Sequence, residues 1–600
     1  MGEKEKIYNA KKYFIHGFKS YIKNEHKSLS KIYTPSVREL LIDYVEIHED
    51  ITTNLELDKL GKSRNELIDA MKYYIKNSIL YDESLYRKEF HLLIQQLEGL
   101  DHKEGQQKLI QYSHIYIICD SLVKKIDTEN IYSQIINFVK NYKSYDQVEK
   151  AIQLIINELL YDGYSLKYLG TWFNGHFGGV KIDESNIDEF LDKFGELKRT
   201  ADEFVYYMNV LQSSYFNNDE LYIDFNLSLV KEDFSKVTLV DAVSGKETKQ
   251  YLQVPNGYDL CSIKIKSMDY FKGLDYIVNS ITSYFQMINY VSAQSENLIL
   301  DKIICKLPNG NCKKIRYTEN EDVNILFSNV ENRERQDVED FILYRNRVFS
   351  ESIRSQEVFN IQRALNIVKN QLNQSQENKI INLWAVLEYI LTFKESGGSI
   401  IAKVKDIIPK IVCLYIVKDK INVFWGRIFE QKDRGISIIE EFLECKKNGE
   451  DYQYDLKKLL NFIENKGSSL ISELEFNDNL ARGIAEIGSF LSNPKVLHQY
   501  LSTKRKEIEY DLVRTYRARN VLIHSGKETK VDLNCKSLRL YSYNNNLLGL
   551  IIYYMCKNPH LRITEILNSI DYTYEDYMKR LENGTVGKEE ISKPKYLFIG

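Results

Sequence analysis

The stretch Lys504–Gly526, KRKEIEYDLVRTYRARNVLIHSG, decides how the last third of this chain folds. It reads as helix from near Lys504, in a chain whose seven prolines leave room for long uninterrupted helices. Gly526 suits the left-handed residue that closes such a helix. Arg517, Asn520 and His524 fall at i, i+3 and i+7, so they share one face. Arg519 falls about 140° around from His524. Its long guanidinium arm and a fraying last turn are what bring it toward the imidazole.

These residue types suit one chemistry. Cutting RNA without a metal requires the ribose 2′-OH to lose a proton and the 5′-oxygen to gain one. The extra negative charge on phosphorus must also be stabilised. A histidine that titrates near neutrality serves proton transfer. An arginine fork, always protonated and bidentate, serves the developing phosphate charge. His524 and Arg519 supply these two parts, and Asn520 orients the imidazole or holds a phosphate oxygen. The competing reading is a histidine placed at a helix C-terminus because the helix dipole favours it there.

Around the stretch, Lys504, Arg505, Lys506, Arg514, Arg517 and Arg519 outnumber Glu507, Glu509 and Asp511. This local excess is able to engage phosphates, Arg514 and Arg517 above all, although the whole chain carries a net charge of −4. The alternative is a solvated helix laced with i,i+4 ion pairs. Six hundred residues are too many for one core, and the 43% hydrophobic and 28% charged shares are those of an ordinary globular chain. The eight cysteines form no C-x-x-C pair, and the nearest, Cys305 and Cys312, flank a Pro308-Asn309-Gly310 turn. No metal spacing follows from them, so reduced thiols in a cytoplasm are expected. The start, MGEKEKIYNAKK, lacks the apolar region of a secretory signal, and the longest apolar runs are about half a membrane span.

Residues 1 to about 215 read as helices. Ile152, Ile155, Ile156, Leu159 and Leu160 keep helical spacing up to Asp162-Gly163, and Ser165 caps a second helix. This pair is a packed helical hairpin or, alternatively, a DNA-reading helix-turn-helix. The glycine-rich Asn174–Gly179 lacks the lysine of a phosphate loop and reads as a turn. Near residue 218 the period becomes two. Ile223, Phe225, Leu227 and Leu229 alternate with polar residues, as do Cys261, Ile263 and Ile265. Val237–Val243 and Gln250–Val254 read as a hairpin around Ser244-Gly245-Lys246, and Leu298–Leu307 and Lys313–Tyr317 as one around Asn309-Gly310. One helix is expected between about Tyr270 and Ala293. From about Gln336 helices return.

YRARNVLIHSG, Tyr516–Gly526, resembles the motif of the HEPN superfamily, whose ribonucleases carry Arg, a polar residue, then His four places later on a helix. Ser525-Gly526 is similar to the Apea-like HEPN branch in particular. A second match is NLWAVLEYIL, Asn382–Leu391, since that branch has a helix with Trp and then Leu-Glu ahead of its Arg/His helix. Trp384 reads as core, and Glu388 as the ion-pair partner of an arginine of the motif helix. The resemblance covers about residues 336–580. The spacing from Glu388 to Arg519 is longer than usual, which suggests inserted helices around 415–490.

The resemblance implies two HEPN domains paired so that each supplies Arg519 and His524 to a shared cleft. It also implies an RNA-cutting toxin or antiphage effector of abortive infection, often acting on tRNA, that responds to a phage-derived trigger. The expected fold is mainly α with a smaller β-rich module and an α-helical carboxy-terminal HEPN-like bundle. The expected division is a helical sensor or regulatory region over 1–215, the β-rich module over 216–333, the nuclease domain over 334–584 and a tail over 585–600. The expected activity is a metal-independent endoribonuclease of antiviral defence, homodimeric or larger, cytoplasmic, with no cofactor and no membrane partner. Arg519, His524 and Asn520 are its catalytic residues, Arg517 and Arg514 its RNA-binding residues and Glu388 their support. The alternatives are a noncatalytic HEPN-type RNA-binding or scaffold protein, and a DNA-binding regulator using the hairpin near Gly163.

Overall fold

A computed structural model describes residues 3–23, 35–53, 57–83, 86–128, 131–142, 144–180, 182–197, 200–211, 228–229, 239–242, 247–248, 254, 256–277, 302–316, 355–371, 374–394, 398–447, 450–474, 478–524, 533–558 and 561–592. The chain is mainly α with a smaller β module. It clusters into two compact units, one of 1–157, 182–191 and 329–600, the other of 158–181 and 192–328. This differs from the division expected at residues 215 and 333. The amino-terminal helices belong with the carboxy-terminal ones, and 158–181 belongs with the sheet.

The first unit opens with α1 (Glu3–Lys23), α2 (Val37–Thr53), α3 (Leu57–Asn77), α4 (Ile79–Glu83), α5 (Arg87–Gly99), α6 (Gly105–Thr128), α7 (Ile131–Asn141) and α8 (Tyr145–Tyr161). The apolar spacing expected at the end of α8 holds, with Ile155, Ile156 and Leu159 buried. In the second unit Ser165 caps α9 (Leu166–Phe177), its hydroxyl accepting the Tyr168 N–H, and α10 (Ile187–Gly195) follows, its first five residues counted with the first unit. The stretch Asn174–Gly179, expected as a turn, is helical up to Phe177.

The sheet is built from β1 (Asp202–Leu211), β2 (Ser228–Leu229), β3 (Leu239–Asp241), β4 (Glu247–Thr248), β5 (Tyr258–Ser267), β6 (Lys302–Lys306) and β7 (Cys312–Arg316), in the order β2-β5-β1-β6-β7-β3-β4. Its pairings are antiparallel except β3 with β7. The expected hairpin around Asn309-Gly310 is present: Lys306 faces Cys312, and Gly310 takes a φ of 84° that its missing Cβ permits. β3 falls within the first strand of the other expected hairpin, but its partner β4 lies before the expected second strand, Gln250–Val254. β1 lies inside the region expected to be helical. Phe204, Tyr206, Met208 and Val210 join one core and Tyr207 another, so both faces are apolar and no polar alternation betrays the strand. Residues 223–227, 237–238, 243–246, 250–253, 278–301 and 317, parts of the expected strands, turn and helix, lie outside the described residues, as do Ser525, Gly526 and 593–600.

Asp269 organises this unit. It is fully buried, and its carboxylate accepts N–H bonds from Phe271 and Lys272, both at 2.8 Å, which start the helical stretch 270–277. It also accepts the Ser165 N–H at 2.6 Å and hydroxyl at 3.1 Å. Gly273 lets that helical stretch lie close to the sheet, since a Cβ there would collide with Tyr206 Oη. Burial pushes the Asp269 carboxyl up to about 6, against the pull of these donors. A folded pKa above the unfolded value of roughly 3.9 means that the native state binds the extra proton. The stability it contributes is therefore greatest at low pH and declines as pH rises from about 4 to about 6. Asp269→Asn is expected to remove that slope and to cost about 1–3 kcal/mol, because an amide cannot accept at both ends. Denaturant unfolding from pH 4 to pH 7 checks both; an unchanged pH slope excludes this role.

The first unit resumes with α11 (Ser355–Lys369), α12 (Gln376–Leu391), α13 (Ile400–Phe429), α14 (Ser437–Leu443), the hairpin β8 (Lys446–Lys447) and β9 (Glu450–Tyr454), α15 (Leu456–Glu473) and α16 (Asp478–Ser492). Helices take up most of 415–490, interrupted by the β8–β9 hairpin, and α13 runs through Pro409 without ending. Then come α17 (Pro494–His524), α18 (Leu533–Lys557), α19 (Ile563–Asn583) and α20 (Lys588–Ser592). α17 packs against α12, α13, α16, α19 and α3. The tail expected from residue 585 is corrected by α20. Ile591 is buried and its carbonyl accepts the Tyr577 hydroxyl at 2.9 Å, while Arg580 pairs with Glu590.

Candidate functional site

α17 runs ten residues further toward the amino terminus than the stretch that betrays it, and it ends at His524. α12 lies beside it because its apolar face, Leu383, Trp384, Leu387 and Ile390, is buried. Trp384 is core, as expected: it is fully buried and its ring stands 5.2 Å from that of Tyr516. Its indole N–H donates to Glu388 Oε1 at 3.0 Å. The other carboxylate oxygen faces Arg519 Nη2 at 3.6 Å, and Arg519 Nη1 donates to Asn520 Oδ1 at 3.0 Å. Trp384, Glu388, Arg519 and Asn520 thus form one connected set across two helices. The indole orients the carboxylate, and the carboxylate holds the guanidinium. Arg519 and Glu388 keep side-chain exposures of 20% and 26%, so the set is half-buried and reachable from solvent. His524 stands one and a half turns beyond, about 7.5 Å along the axis; its side chain lies outside the described residues.

Two expected RNA-binding residues are placed otherwise. Arg514 has a side-chain exposure of 5%, pairs with Glu39, and sets its Nε 3.3 Å from Asp43 Oδ2. Arg517 reaches Asp43 Oδ1 at 3.2 Å and Glu46 Oε2 at 3.6 Å. Glu39, Asp43 and Glu46 sit at i, i+4 and i+7 of α2, one acidic stripe laid along the Arg514–Arg517 face of α17. Arg514 is therefore a buried structural ion, and Arg517 is partly neutralised. Lys504 and Arg505 are also paired, with Glu507 at 2.7 Å and Glu509 at 3.1 Å. The local excess of positive charge is largely cancelled, in part by carboxylates more than 450 residues away in the chain.

Beneath this face α18 contributes groups that the sequence does not advertise. Asp511 accepts the Tyr543 hydroxyl at 2.9 Å and pairs with Arg539 Nη1 at 3.0 Å. Lys536 is buried, and its ammonium has no hydrogen-bond partner among the described residues. Burial, and then the nearby Arg514, push its pKa down to about 8. In LNCKSLRLYSYNNN these look like ordinary surface charges, and no local signal marks them.

Among the described residues no group of three or more His, Cys, Asp or Glu side chains is placed to hold a metal ion, and no helix is long and apolar enough to cross a membrane. No family model, curated protein or solved structure matches the chain.

Proposed function

We propose that this protein is an endoribonuclease that cleaves RNA by attack of the neighbouring 2′-OH. The carrying observation is the Trp384–Glu388–Arg519–Asn520 set on the helix that ends at His524. Glu388 holds Arg519 in a fixed place, so little reorganisation is needed when negative charge develops on the phosphate. His524 moves the proton from the 2′-OH and returns one to the 5′-oxygen. Asn520, bonded to Arg519, holds a phosphate oxygen or the imidazole. By the HEPN resemblance two copies meet along α17, and the activity serves antiphage defence through loss of cellular RNA after a phage-derived trigger.

Neither named step uses a metal, so cleavage is expected to continue at full rate in excess EDTA and to leave 2′,3′-cyclic phosphate ends. Product ends are read by mass spectrometry. Activity that requires magnesium and leaves 3′-OH ends refutes the proposal. The pairing of Arg514 and Arg517 with α2 favours the second reading, a noncatalytic RNA-binding scaffold. That reading is adopted if RNA binds, remains intact, and is released by Arg519→Lys.

A further inference from the structure

α11 carries a pattern that the Arg519 site does not use. Phe359, Gln362, Arg363, Asn366 and Asn370 fall at i, i+3, i+4, i+7 and i+11, one stripe along α11 and the turn after it. A solvated face usually carries charges of both signs. This one carries amides, one cation and an aromatic ring that is 55% exposed. The stripe lines a groove of about 510 Å³ together with Ile367, Gln371, Gln374 and Asn382. That is the size of a small-molecule site.

Two of its side chains are held in place. The Arg363 guanidinium carbon stands 4.5 Å from the centre of the Tyr389 ring, a contact that keeps a planar cation at the groove. The Asn382 amide donates to Gln371 Oε1 at 3.4 Å, and buried Gln371 donates in turn to the Ile367 carbonyl at 2.7 Å. No carboxylate or hydroxyl is present among the described residues that line the groove. Amide oxygens alone bring a hard cation no compensating charge, and a cationic ligand would meet Arg363 with no carboxylate beside it among these residues.

A flat ligand with alternating donors and acceptors on its edge, and one negative charge, matches this lining. An adenine nucleotide has each part. Its ring face stacks on an exposed aromatic, its N6 donor beside N7 pairs bidentately with an amide, and its phosphate suits an arginine fork. We infer that the groove is a binding site for an adenine nucleotide, free or as one residue of a single-stranded RNA. The site stands apart from the ribonuclease reading, since a nucleotide binds here whether or not the chain cuts RNA.

The test titrates the full chain with AMP, GMP and adenosine by calorimetry, and with labelled octa-adenylate and octa-uridylate by anisotropy. Asn366 and Arg363 are exposed, so their replacement leaves the fold intact. Binding of AMP or of octa-adenylate is expected, about tenfold or more weaker in Asn366→Leu. Arg363→Gln is expected to weaken AMP and to leave adenosine unchanged. AMP binding alone assigns the groove to a free nucleotide, and octa-adenylate alone assigns it to a strand. Arg519→Lys leaves the AMP affinity unchanged while altering cleavage, so failure of either reading is told apart. No binding of AMP or octa-adenylate at millimolar concentration, equal binding of GMP, or wild-type affinity in both groove variants overturns the inference.

Discussion

Arg519→Lys is expected to lower single-turnover RNA cleavage by about a hundredfold or more, in a protein that remains folded. The replacement keeps the positive charge and its attraction to Glu388. What it loses is the fork, which contacts Glu388 with one Nη and Asn520 with the other. A lysine ammonium is a point charge and cannot hold both neighbours and a phosphate in one plane. His524→Ala should be at least as damaging, because it removes the group to which the proposed proton transfers are assigned. Arg517→Lys is the control. Helical geometry makes Arg517 the natural partner of His524, seven residues on and nearly two full turns away. Yet its guanidinium is directed to Asp43 and Glu46 on α2. It should therefore retain cleavage within about tenfold at saturating RNA, with a changed dependence on salt. If Arg517→Lys is dead and Arg519→Lys is nearly normal, the wrong arginine has been named.

Arg514→Met is expected to destabilise the first unit by about 3–5 kcal/mol, the usual cost of stranding a buried charge. Glu39 and Asp43 are both buried, and the guanidinium of Arg514 lies against them. Without it the two carboxylates lose the guanidinium they share, while Arg517 still reaches Asp43. Adding Glu39→Met should recover much of the loss, because replacing both members of a buried pair with apolar side chains is often nearly neutral. Urea unfolding followed by circular dichroism measures both variants. A shift below about 1 kcal/mol for Arg514→Met would mean that α2 does not rest on α17 as described.

Much of this arrangement was legible in local pattern. The end of α17 near His524, the Trp384 helix with its Glu388, the Ser165 cap and the Asn309-Gly310 hairpin each follow from spacing or turn chemistry within a few residues. The pairing of Glu388 with the motif helix was also foreseen, because the two segments share one resemblance. Other features have no local signature. β1 is apolar on both faces, so its period of two is hidden. α20 continues the fold where the sequence suggested a tail, held by a hydroxyl from Tyr577.

The sequence by itself determined most of the helices, the Asn309-Gly310 hairpin and the choice of Arg519, Asn520 and His524 as candidates, since these depend on neighbours one or two turns away. Only the tertiary structure decided which arginines are spent. Arg514 and Asp43 are 471 residues apart, and nothing in either segment says that one will neutralise the other. Charge pairing depends on distance in space, and a count of charges along α17 sees only those carried by α17. Arg519 is held by Glu388 yet remains partly exposed, whereas Arg514 is buried beneath α2, because α2 lays its acidic stripe along one face of the motif helix and leaves the other to α12.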